Sequence, residues 1–99
     1  MVKVYISRKA RKDLDIIKAY IAEDNPTRAE IFCEELLSRS IETISEFPYS
    51  CPIYNQPKKI RRFVFGNYNV YYRVSSDDRA DVLHILNSAL LKNMTLKSL

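Results

Sequence analysis

Apolar residues recur along the first quarter of the chain at steps of four, three and four: Ala10, Leu14, Ile17 and Ile21. That spacing returns to one face of a 3.6-residue helix, with Tyr20 at the margin of the stripe. Ser7 stands just before it, where a hydroxyl can accept a free amide of the first turn. A second stripe runs through Ala29, Cys33, Leu36, Ser40, Ile44 and Phe47, flanked by Phe32, Leu37 and Ile41. Asn25-Pro26 separates the two: asparagine caps, and proline suits the first helical position, where its missing amide is not needed. Pro48 stops the second helix. So short a link makes the helices antiparallel, each burying its stripe against the other and against a sheet.

The remaining elements read as strands. Val2 to Ile6 is short and rich in β-branched residues. Pro48 to Pro57 reads as a loop. Lys58 to Val74 reads as a hairpin around Gly66-Asn67, a pair suited to the positive backbone angles of tight turns. Asp77-Asp78 forms a second turn. Val82 to Leu86 is nearly all apolar, which predicts a central strand covered on both faces. The expected order is β-α-α-β-β-β. The fold class is α+β, an antiparallel twisted sheet with an N-terminal two-helix hairpin on one face, in a single domain over residues 1–99. No repeats or low-complexity segments interrupt it.

Composition narrows the chemistry. One glycine in 99 residues excludes a Gly-rich phosphate loop. No apolar run approaches the ~20 residues of a membrane span. MVKVYISRK lacks a signal core, so the expected location is cytoplasmic. Cys33, Cys51 and the single His84 lack zinc-ligand spacing. Neither a metal nor a cofactor is expected; Cys33 reads as a small buried apolar residue and Cys51 as a loop thiol. Charge is divided unevenly. Residues 1–50 carry eight cations and nine anions, net −1, whereas residues 51–99 carry eight cations and three anions, net +5. Between Phe47 and Ser76 there are five cations and no acid. Such a field favours an anionic partner.

That field falls on the hairpin. Side chains alternate faces along a strand. Arg61, Phe63 and Phe65 share one face; Ile60, Arg62 and Val64 share the other. If Val70, Tyr72 and Val74 turn to the helices, Tyr71 and Arg73 point outwards, joined by Arg61 or Arg62 according to register. Together with Lys58 and Lys59 they make a patch of cations and phenol, able to hold phosphates, stack on bases or grip an acidic protein surface.

The sequence resembles the RelE/ParE superfamily of toxins from type II toxin–antitoxin pairs. The resemblance runs through VKVYIS, KARKDLDIIKAYIAEDNP, AEIFCEELLSRSIETISEFP, IRRFVFGNYNVYYRV and VLHIL, nearly the whole chain. It implies a sheet carrying a two-helix hairpin, and one of two activities. RelE-like members are ribonucleases that cut messenger RNA in the ribosome; ParE-like members poison DNA gyrase without nuclease action. RNA cleavage by 2′-hydroxyl attack needs a base, an acid and cations for the phosphate. As a nuclease, the chain would draw on Arg61, Arg62, Arg73 and Tyr71. Tyr68 and Tyr72 are further phenols, but a tyrosine with a pKa near ~10 needs strong activation to act as a base.

NSALLKNMTLKSL, which ends the chain, has no Tyr, His or Arg. Many relatives carry a His-Gly-x-Arg-like ending where this chain has Asn87-Ser88-Ala89-Leu90, a departure from many ParE-like members too. His84, amid Leu83, Ile85 and Leu86, reads as a strand residue with a local partner rather than a catalyst. The helical hairpin and its Glu-Asp-Asn-Pro link look ParE-like. The reading is therefore a ParE-like gyrase inhibitor with no catalytic residue; a ribosome-dependent ribonuclease and an inactive antitoxin-binding relative are the alternatives. Lys58, Lys59, Arg61, Arg62, Tyr71 and Arg73 are expected to face the target. The resemblance also implies a cognate antitoxin and an oligomer formed through it, with no membrane partner. Tyr20, Ile31, Phe32, Leu37 and Ile41 exceed what one stripe per helix requires, and are expected to receive an amphipathic helix of that antitoxin.

Overall fold

The computed structural model describes residues 1–88. The chain runs β1 (Lys3–Ile6), α1 (Arg8–Ala22), α2 (Pro26–Glu46), β2 (Ile53–Asn55), β3 (Ile60–Phe65), β4 (Tyr68–Ser76) and β5 (Arg79–Asn87). The sheet order is β1-β5-β4-β3-β2. β2 to β5 pair antiparallel, and β1 joins β5 in parallel, so the sheet is mixed. The parallel edge follows from the order of elements, because the helical hairpin carries the chain away between β1 and the meander. β2 lies inside the stretch read as a loop. It is only three residues long and shifts register at Tyr54, too short for alternation to reveal.

The helix ends form where the sequence places them. Ser7 Oγ accepts the Ala10 amide at 3.0 Å, and Asn25 Oδ1 accepts that of Arg28 at 3.0 Å. Pro26 is the first residue of α2. Ala10, Ile17, Ala29, Cys33, Leu36, Ser40 and Ile44 are buried, with Leu14 and Ile21 packed against them. Their counterparts on the sheet are Tyr68, Val70, Tyr72, Ala80, Val82 and Ile85. Phe47 departs from its stripe: it is the C-cap, outside helical geometry, and lies exposed. Cys51, expected as a loop thiol, is buried in the core. Gly66 has φ +59 at the β3–β4 turn, as the two-residue hairpin requires.

The opposite face of the sheet has a smaller core of its own. Ile60 and Tyr71 are buried there, with Tyr54, Leu83 and Leu86 packed around them. A bulge lies beneath this cluster: Tyr71 pairs with His84 but Tyr72 with Val82, leaving Leu83 inserted. β5 is thus central and carries apolar residues on both faces, as its composition suggested. No helix among the described residues is long and apolar enough to cross a membrane.

Candidate functional site

The hairpin register decides which cations share a surface. Arg61 pairs with Tyr72 and Arg62 with Tyr71. Arg62 and Arg73 therefore lie on the face away from the helices, and Arg61 on the helix side.

Arg61 is tied to the loop that follows α2. Its Nη1 donates to the carbonyls of Tyr49 at 3.2 Å and Cys51 at 2.7 Å, and its guanidinium lies 5.1 Å from the Tyr49 ring centre. The Tyr72 hydroxyl donates to Pro48 O at 2.8 Å in the same loop. Both groups brace the chain where Pro48 and Pro52 deny it amide donors.

Tyr71 corrects the expectation of an exposed phenol. It does lie on the outer face, but it is 0% exposed. Its ring meets Tyr54 edge-on at 4.9 Å, and its hydroxyl accepts from Asn69 Nδ2 at 3.3 Å. Alternation gave its face but not the second cluster that closes over it. Burial pushes the Tyr71 phenol above its ordinary value and Tyr54 adds to this, with Asn69 and Arg62 opposing. Burial likewise raises Tyr72 strongly. Neither is available as a base near neutrality, and Tyr71 offers no surface to a partner.

Arg62 and Arg73 remain on the outer face. The Arg62 guanidinium covers the Tyr54 ring at 5.5 Å. Arg73 is exposed and pairs across the strands with Asp81. Asp81 also meets Arg79 at 3.0 Å and accepts from Ser75 Oγ. Burial raises the Asp81 carboxyl, but hydrogen bonds from Arg79 and Ser75 outweigh it and hold the pKa below the usual range. The acid-free run in sequence is thus not acid-free in space, because β5 returns a carboxylate beside Arg73. Lys58 and Lys59 are exposed at the turn into β3, where Lys59 takes φ 56.

His84 has a partner, though not a local one. Its Nδ1 lies 3.3 Å from Asp13 Oδ2 in α1, and the same oxygen accepts the Ile85 amide at 3.1 Å. β1 pairs with β5 only as far as Val82; Asp13 supplies an acceptor to the strand edge beyond. Sequence reasoning missed Asp13, although a carboxylate beside the Ala10–Leu14–Ile17 stripe was a signal that something polar awaited it.

The helical residues expected to receive a partner divide into two groups. Tyr20, Ile31 and Ile41 are exposed, whereas Phe32 and Leu37 are half-buried. Phe32 packs on Phe65 and Tyr68, with ring centres 5.6 and 5.4 Å apart, and so belongs largely to the core. Ile16, as exposed as Tyr20 at 67% and one turn away, joins the exposed group. The signal for it was already present, since Ile17 fills the core position and leaves its neighbour surplus.

The model of the family described as "ParE toxin of type II toxin-antitoxin system, parDE" matches residues 4–89. The chain belongs to the ParE toxin family. No curated protein matches its sequence. Among solved structures, it is similar to the one described as "Chromosomal ParDE TA system from P. aeruginosa", with a TM-score of 0.74 and 18% identity. The match covers 88% of this chain and 96% of that one. At that identity the likeness establishes the fold: a ParE-type sheet with its helices on one face. In this ParE-family chain Arg62 and Arg73 lie on the outer face of the hairpin and Lys58-Lys59 at the turn into β3, while Arg61 is tied to the loop after α2 and Tyr71 is buried.

Proposed function

We propose that this chain is the toxin of a type II toxin–antitoxin pair, that it acts on DNA gyrase in the cytoplasm rather than on messenger RNA, and that a cognate antitoxin neutralises it. The observation that carries the choice of target is the state of its candidate proton-transfer groups. Tyr71 and Tyr72 are buried with raised pKa values, and His84 is engaged with Asp13. The sequence after Leu86 contains no Tyr, His or acid. The engagement of these three groups disfavours general acid–base cleavage of RNA at the hairpin, whereas a toxin that acts by binding needs no proton-transfer group.

Lys58, Lys59, Arg62 and Arg73 are the proposed target-facing set. All four belong to the half of the chain with net charge +5. Ile16, Tyr20, Ile31 and Ile41, exposed on the two helices, are proposed as the apolar residues that an amphipathic helix of the antitoxin covers. Purified protein is expected to inhibit gyrase supercoiling, or to trap cleaved DNA, and to leave ribosome-bound messenger intact. Messenger cleavage on ribosomes with gyrase unaffected would reverse the choice of target.

A further inference from the structure

β3 is only half covered along its outer side. Its ladder with β2 ends where the Arg62 amide donates to Pro52 O at 3.1 Å. Pro52 has no amide to return to Arg62. Phe63, Val64 and Phe65 pair with β4 alone. Because Arg62 turns its amide towards β2, and alternate residues repeat that direction, the N–H and C=O of Val64 face away from β4. The two-residue turn closed by Phe65 and Tyr68 requires the same phase. Among the described residues no strand lies along this stretch. The Val64 side chain is 55% exposed.

We propose that this edge is a strand-addition site: an extended, acidic segment of the antitoxin pairs with β3 at Arg62–Phe65. Backbone pairing at Val64 would provide the register. On the helix side the added strand would border Phe63, Phe65 and Phe32, which are half-buried against the core. Charge selects the occupant. Arg61, Arg62, Lys58 and Lys59 stand at the start of β3, and Arg28 lies over Phe32, 5.8 Å from its ring centre, near the far end. A second copy of the chain would bring the same cations edge to edge, the device by which natural sheets discourage self-pairing. An acidic strand meets no such opposition and is drawn in by it. The source of the strand rests on the antitoxin reading above; the site itself does not.

The test uses full-length protein, amide exchange by NMR, and two probes: a synthetic acidic peptide with valine at every second position, and the purified product of the reading frame beside the toxin gene. Protection of the Val64 amide by both is the expected result. Val64→Pro removes the edge donor without removing a bond to β4, a position where sheets accept proline. It is expected to melt like the wild type and to bind the peptide at least about tenfold more weakly, or ~1.4 kcal/mol. Should Val64→Pro fail to fold, the exchange result on the wild type decides alone. If the neighbouring product protects only the helices and the peptide leaves Val64 unchanged, the edge proposal fails while the antitoxin reading stands. If the peptide protects Val64 and the neighbouring product does not bind at all, the site stands and the antitoxin reading fails. Neither probe binding overturns both.

Discussion

Replacing Arg61 by methionine separates a structural arginine from its neighbours. Methionine keeps most of the apolar stem and removes the guanidinium. Two donations to main-chain carbonyls are lost, at 2.7 Å to Cys51 and 3.2 Å to Tyr49, together with the contact on the Tyr49 ring. Hydrogen bonds involving a charged group contribute about 1.5–3 kcal/mol each when shielded. The bond to Cys51 is partly buried and the one to Tyr49 is exposed, so the first counts nearly in full and the second only slightly. The ring contact adds about 0.5 kcal/mol at an exposed position. The sum is about 2 kcal/mol. For a domain of this size each 1 kcal/mol moves the midpoint by roughly 4–8 °C, so Arg61→Met should melt about 8–16 °C lower. Arg62→Met and Arg73→Met remove partly solvated charges and should each cost under about 1 kcal/mol. Thermal and urea unfolding followed by circular dichroism measure all three variants. An Arg61→Met midpoint within about 2 °C of the wild type would refute the bracing role and return Arg61 to the binding surface.

Further outcomes follow from the same geometry. Asp13→Ala leaves the Ile85 amide without its acceptor and His84 without its carboxylate, at a cost of about 2–3 kcal/mol in urea unfolding; Asp13→Asn, which keeps an acceptor, should recover part of it. Tyr71 and Tyr72 have folded pKa values raised above the unfolded value near 10, so their contribution is complete below about pH 10 and is lost as pH rises towards the folded values. Unfolding titrations should show stability falling above about pH 10, with a shallower fall in Tyr72→Phe. Asp81 runs the other way: its folded pKa is depressed, so its contribution is present above about pH 4 and lost on acidification, a dependence that Asp81→Asn should remove. Reversing Lys58, Lys59, Arg62 and Arg73 to Glu should abolish growth arrest in an expression assay while the protein remains folded.

Much of the architecture was legible because it rests on periodicity and end signals. The stripe from Ala29 to Ile44 and the caps at Ser7 and Asn25 need only local spacing and one hydrogen bond each. Gly66-Asn67 marked the hairpin through backbone angle alone. What escaped the sequence depends on contacts between distant segments. β2 exists because Pro52 and Asn55 happen to lie against β3, and three residues give alternation nothing to display. Alternation assigned Tyr71 to the correct face but cannot say what covers that face; Tyr54, Leu83 and Leu86 come from two other strands. The cations were visible as a group. That Arg61 is bound by carbonyls ten and twelve residues earlier, and that β5 returns Asp81 beside Arg73, was not.

The proposal that this ParE-family chain blocks its target by binding, without cutting RNA, is open to direct test. Purified protein should be added in parallel to a gyrase supercoiling reaction and to ribosomes programmed with a defined messenger. Dose-dependent loss of supercoiling, or accumulation of cleaved DNA, with the messenger full-length, is the expected result. Cut messenger in the ribosome reaction, alongside undisturbed supercoiling, would contradict it.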